Sequence, residues 1–287
     1  MVGENDSRGN TSEDNSDEFN LSYTCKELKL LATEIKDKFT LNEDQNKVLQ
    51  TIVSKWFKPV DYDMNNVEND HSSLTSSSSC DNIILVHGCF GTGKSYMMVA
   101  LIHFIIKVIE MEETISKKNC DIRLLIACST NVAVDRVLKT LLETGYTDFD
   151  RVGVNQNVEK SLRKYVQKSS TSHIVVGSTL ASCTSQAMQG ETFQIVFLDE
   201  CSQQIEPSSL MAMGFGCKRA LLVGDPLQLP PVCKYSTIVD SNHTNNNNNN
   251  NGSGSLNKNS SFNYIAGMDR ALFLRLQESA KMKKIML

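Results

Sequence analysis

The sequence predicts an α/β domain: a parallel sheet with helices on both faces. Two observations carry this. Five short runs rich in Val, Ile and Leu, at Ile83–His87, Arg123–Cys128, His173–Gly177, Gln194–Leu198 and Ala220–Gly224, are almost unbroken in hydrophobicity, as strands buried on both faces are. Helical patterns follow them, at Lys94 to about Met111, Val132–Glu143, Val158–Gln167 and about Pro207–Met213. Repeated strand–helix alternation implies right-handed crossovers in a doubly wound arrangement. Ligands of such sheets sit at the carboxyl ends of the strands, so the residues just after each run are where chemistry is expected.

After the first run comes Gly88-Cys89-Phe90-Gly91-Thr92-Gly93-Lys94-Ser95, a full match to the phosphate-binding loop, with a strand before it and a helix pattern after it. Glycines let the backbone wrap closely around phosphates, so the amides from about Gly91 to Ser95 are expected to point inward at a helix start. Lys94 is then placed to neutralise the β and γ phosphates, and the Ser95 hydroxyl to bind Mg²⁺. The fourth run ends in Asp199-Glu200. Beside a phosphate loop, Asp199 suits Mg²⁺ and Glu200 suits accepting a proton from an attacking water, although such a pair also occurs as a solvated strand end or helix cap. The triphosphate and its ion are expected where two neighbouring strands finish. The fifth run leads into Gly224-Asp225-Pro226-Leu227-Gln228-Leu229-Pro230-Pro231, a loop stiffened by prolines in which Gln228 is placed to sense the γ-phosphate. Ser129, Thr130 and Asn131 follow the second run, where they suit a helix cap or a grip on a phosphate. Asp135 and Arg136 read as solvated or paired charges on a helix flank, and are left outside the site. Lys160, Arg163, Lys164 and Lys168 fall on an expected helix that reads as a wet face more readily than as a phosphate track.

The formal net charge of −4 on 287 residues excludes a strong overall positive field, so any nucleic-acid contact must be local. The longest apolar run, Tyr96–Ile106, is well short of the roughly 20 residues that span a bilayer, and the acidic amino terminus is unlike a secretory leader. Nine cysteines without a CxxC pair read as free thiols of a reducing compartment. Residues 1–20 are expected to be a disordered acidic tail. Low-complexity insertions are expected near 64–81 and 241–261, because these stretches hold too little apolar surface to offset the entropy of ordering them. The rest, within residues 21–287, suffices for one sizeable domain.

Together these pieces resemble the first core domain of superfamily-1 helicases, in the branch of the nonsense-decay and senataxin-type enzymes. LNEDQ at Leu41–Gln45 looks like the family's Q motif, GCFGTGKS like motif I and CSTNVAVDRVL at Cys128–Leu138 like motif Ia. VVGSTLAS around Thr179 is similar to the next nucleic-acid motif, DECSQQIEP to motif II and GDPLQLPP to motif III. The wording HGCFGTGKSY, STNVAVDRVL and LDECSQ is most similar to the helicase region of GRF-type zinc-finger DNA repair helicases.

The resemblance implies a RecA-like P-loop domain that binds ATP and Mg²⁺, with Gln45 reading adenine. It implies single-stranded nucleic acid, DNA more than RNA, held by Ser129, Thr130, Asn131 and Thr179. It also implies 5′ to 3′ helicase activity and a role in DNA repair, in the nucleus rather than the cytoplasm. The family's second core domain is expected to be absent, since the sequence reaches Leu287 just after MDRALFLRLQ (Met268–Gln277), which looks like the helix preceding it. Such a chain is expected to bind nucleotide weakly alone and not to unwind. Two other readings stay open, a P-loop phosphotransferase and a non-catalytic fragment that binds nucleic acid or a partner.

Overall fold

The apolar runs assemble into one parallel sheet, seen in a computed structural model that describes residues 23–57, 82–117, 120–232, 270–279 and 284–287. The strands are β1 (Ile83–His87), β2 (Leu124–Cys128), β3 (Phe149–Val152), β4 (Val166–Gln167), β5 (Val175–Thr179), β6 (Ile195–Leu198), β7 (Arg219–Gly224) and β8 (Lys284–Met286). Their order is β4-β3-β5-β2-β6-β7-β1-β8, with every pairing parallel. The helices are α1 (Cys25–Lys38), α2 (Glu43–Trp56), α3 (Lys94–Ser116), α4 (Asn131–Glu143), α5 (Glu206–Met213) and α6 (Leu272–Glu278). The expected tail at 1–20 and the insertions near 64–81 and 241–261 lie outside the described residues.

Successive strand residues face opposite sides of a sheet, and here both sides are apolar. Ile84, Val86, Leu124, Ile126, Ile195 and Phe197 pack with α1 to α4. Leu85, Leu125, Val196, Leu198 and Leu222 pack on the other side with Ala212 of α5 and Leu272 and Phe273 of α6. The unbroken runs reflect this double burial. No described helix is long and apolar enough to cross a membrane.

Three expectations are corrected. Val158–Gln167 is not an α-helix: Lys160–Tyr165 is a 3₁₀ turn, and Val166–Gln167 form β4. The segment is held at both ends, by the Asp135 carboxylate accepting from the Glu159 N–H at 2.8 Å and by pairing of β4 with β3. Its lysines therefore share no helix face. The third strand lies two residues later than its apolar run, at Val175–Thr179, because the amides of Ser172 and His173 are taken by the Asp150 carboxylate at 2.7 and 2.9 Å. Finally, the strands that end in the phosphate loop and in Asp199-Glu200 are not neighbours. β7 lies between them.

Candidate nucleotide and nucleic-acid site

The phosphate loop leaves β1 and enters α3 at Lys94, after Gly93 adopts a left-handed conformation (φ +78°) as the residue that caps the helix. A β-carbon on Gly93 would lie 2.7 Å from Gln45 Nε2, the movable end of a side chain, so it is the left-handed angle that calls for glycine there. Lys94 Nζ donates to the carbonyls of Gly88 and Cys89 at 2.7 and 2.9 Å, which parks its charge inside the loop. Thr92 Oγ1 donates to the Cys89 carbonyl at 2.9 Å, and the Gly88 N–H donates to the Gly224 carbonyl at 3.1 Å. The loop is thus fixed to the end of β7.

Gln45 sits at the third position of α2 in a reciprocal cap with Asn42. Its Oε1 accepts from the Asn42 N–H at 3.2 Å, while its Nε2 donates to the Thr92 carbonyl at 3.2 Å. The residue expected to read adenine therefore clips α2 to the phosphate loop. It keeps one further N–H and one further lone pair for a base.

Opposite the loop, Asp199 is buried beyond the end of β6, and burial pushes its carboxyl up to about 6 against the pull of the Glu200 N–H, which donates to Asp199 Oδ1 at 2.9 Å. Glu200 holds a left-handed backbone (φ +53°) ahead of the turn Cys201–Gln203, a conformation that costs a non-glycine residue about 1–2 kcal/mol. From β7, Asp225 accepts from Gln228 Nε2 at 3.0 Å and from the Leu227 N–H at 3.1 Å, with His87 Nε2 at 3.3 Å. Burial pushes this carboxyl up, but the hydrogen bonds outweigh it and hold it below the usual range. Gln203 Nε2 in turn donates to Gln228 Oε1 at 2.9 Å. Lys94, Ser95, Asp199, Glu200, Gln228 and Arg136 line one cleft of about 100 Å³ that also touches Gly224 and Asp225. The three strand ends of β1, β7 and β6 thus frame a single site.

A second groove, of about 330 Å³, lies on the same edge of the sheet and is lined by Ser129, Leu180, Gln204, Ile205, Met211 and their neighbours. Ser129 is exposed, while Thr130 caps α4 by accepting from the Ala133 N–H at 3.2 Å. Asn131 Oδ1 accepts from Arg151 Nη2 at 2.8 Å, which leaves the Asn131 amide hydrogens as donors. Thr179 pairs in register with Cys128 but is buried, its hydroxyl capping the turn Leu180–Thr184 through the Ser182 N–H at 3.2 Å. Leu180 and Ala181, not Thr179, face the groove.

Sequence reasoning missed two groups. Arg151, fully buried on β3, holds Asp135 at 2.8 Å as well as Asn131. Nothing in a run as polar as Phe-Asp-Arg-Val signals a strand. Arg136, expected on a helix flank outside the site, lines the cleft with Nη1 3.9 Å from Glu200 Oε1. Its signal was its place one turn beyond Ser129–Asn131.

The model of the family described as AAA domain matches residues 64–173 and 151–236. Among curated relatives, the mouse (Mus musculus) "5'-3' DNA helicase ZGRF1" is 32% identical, over 75% of this chain and 13% of that protein. The mouse "DNA replication ATP-dependent helicase/nuclease DNA2" is 26% identical, over 52% of this chain and 14% of the relative. "Helicase SEN1" of Saccharomyces cerevisiae is 31% identical, over 33% of this chain and 5% of its own length. The chain thus spans about one seventh or less of each of these relatives.

Proposed function

The chain belongs to the AAA domain family, and from that membership and the cleft we propose that it is the ATP-hydrolysing core of a nucleic-acid helicase. The observation that carries the reading is the convergence of Lys94, Ser95, Asp199, Glu200 and Gln228 on one cleft at the strand ends. The donor set fits a hard divalent cation, since Ser95 offers a hydroxyl and Asp199 a buried carboxylate whose charge burial penalises. Ser95 and Asp199 would hold Mg²⁺, which supplies charge neutralisation at the phosphate oxygens.

The chain's own groups account for the rest. The amides of Gly91, Thr92, Gly93, Lys94 and Ser95 cradle phosphates at the start of α3. Lys94 exchanges the Gly88 and Cys89 carbonyls for phosphate oxygen. Glu200 accepts the proton of the water that attacks the γ-phosphate in line, and Gln228, steadied by Gln203 and Asp225, senses that phosphate. Gln45 contacts the adenine from its post above Gly93.

Ser129, Thr130 and Asn131, with the turn after Thr179, grip single-stranded nucleic acid through hydroxyl, amide and backbone N–H groups, which suits a chain with net charge −4. The names of the relatives support DNA as the strand and 5′ to 3′ as the direction, and work on DNA would suit the nucleus. Phe90, Leu227 and Leu229 are exposed beside the cleft, which suits closure by a second core domain. The test is calorimetric titration with Mg-ATP. Lys94→Ala should abolish binding that the wild type shows, and an unchanged affinity would overturn the site. Stimulation of turnover by single-stranded DNA would separate a helicase core from a phosphotransferase.

A further inference from the structure

We propose that Arg136 is a positioning residue that restrains the Glu200 carboxylate at rest and releases it when nucleic acid occupies the start of α4. This rests on the ATPase reading above and extends it to regulation. Among the described residues two cations line the cleft, and each faces the protein's own oxygens. Lys94 is spent on two loop carbonyls, while Arg136 faces Glu200, Nη1 to Oε1, at 3.9 Å. Among the described residues, Arg136 is the ion-pair partner of Glu200. The pair is half-open to water, 49% exposed on the arginine side and 24% on the glutamate side, so it is weak enough to be broken by a competing anion.

The competitor is defined by the helix that carries Arg136. Asn131 and Asp135 lie one turn apart on the face of α4 that Arg151 holds from β3, at 2.8 Å each. Arg136 is one residue further, about 100° around the helix, on the side of the cleft. The anchored face keeps α4 from rotating, so what happens at its first turn reaches Arg136 through a fixed frame. From Asn131 to Arg136 is about 7.5 Å along the axis, which is within the roughly 8 Å over which charges are felt at physiological salt. A nucleic-acid phosphate at Ser129–Asn131 therefore competes with Glu200 for the same guanidinium. Drawing Arg136 towards the strand leaves the Glu200 carboxylate unrestrained as a base.

The experiment measures ATP turnover of the whole chain without and with oligothymidylate, for the wild type, Arg136→Ala, Arg136→Gln and Arg136→Lys. Without nucleic acid, Arg136→Ala and Arg136→Gln should turn over faster than wild type by up to about fivefold, the most that an exposed ion pair holds back. Their stimulation by oligothymidylate should fall by the same factor, and Arg136→Lys, which keeps the charge, should stay within about twofold of wild type. Mg-ADP affinity by calorimetry should be unchanged throughout. Unchanged or slower turnover without nucleic acid in both neutral variants overturns the proposal. So does a loss of Mg-ADP affinity, which would make Arg136 a nucleotide contact instead. Failure of the wild type itself to bind Mg-nucleotide would be failure of the ATPase reading, and is told apart by the Lys94→Ala titration.

Discussion

Replacing Asp199 by asparagine tests the electrostatics of the cleft without ligand. In the nucleotide-free protein, burial raises this carboxyl from its ordinary 3.8 to about 6. The folded state therefore holds the proton more tightly than the unfolded state does. The sign follows from linkage: the stability this proton supplies is fully present below pH 3.8, falls as pH rises and is gone above about pH 6. The whole effect is about 3 kcal/mol, of which roughly 1–2 kcal/mol is lost between pH 5 and pH 8.

The amide introduced by Asp199→Asn would keep an oxygen for the Glu200 N–H and carry no proton to lose, so the variant should escape that decline. In EDTA, Asp199→Asn should gain on the wild type by about 2–8 °C in melting temperature between pH 5 and pH 8, by the scaling for a domain of this size. Mg-ADP should then stabilise the wild type at pH 8 far more than the variant. A melting difference that is the same at both pH values, or that favours the wild type more at pH 8, would refute the reasoning.

Other perturbations test the frame around the cleft. Gly93→Ala places a methyl 2.7 Å from Gln45 Nε2 at φ +78°, and should weaken Mg-ATP binding at least tenfold by calorimetry. Adding Gln45→Ala should relieve the crowding but not the backbone strain, so affinity should recover only in part. Arg151→Met leaves the buried Asp135 carboxylate without its cation, at a cost of about 3–5 kcal/mol by denaturant unfolding. Adding Asp135→Leu should return part of that loss, and no recovery in the double variant would mean that Arg151 acts through Asn131 and the Val152 carbonyl alone.

The central strands were legible because they are apolar on both faces, from Ile84 and Leu85 of β1 to Leu221 and Leu222 of β7. The phosphate loop, the carboxylate pair and Gln228 were legible because each follows such a run, and the structure brings them to one cleft. What escaped was held by polar bonds between distant segments. β3 carries Asp150 and Arg151, both buried and satisfied by partners distant in sequence, Ser172 and His173 for Asp150, Asn131 and Asp135 for Arg151. α1 and α2 announce themselves by capping at Thr24 and Asn42 rather than by alternation with strands. The 3₁₀ turn at Lys160–Tyr165 has Leu162 as its buried residue, so helical spacing of charges there had no core to obey.

β7 is clamped on both flanks, by β1 and by β6, and at its tip a β-carbon on Gly224 would come within 3.0 Å of the Ser202 backbone nitrogen. A rod gripped in this way cannot slide or swivel when ligand arrives. Any hinge must lie past Asp225, in the proline-rich segment bearing Gln228. A fluorophore on the outward-facing Leu227 would consequently brighten or dim with occupancy, whereas one reporting on the rod itself would stay silent.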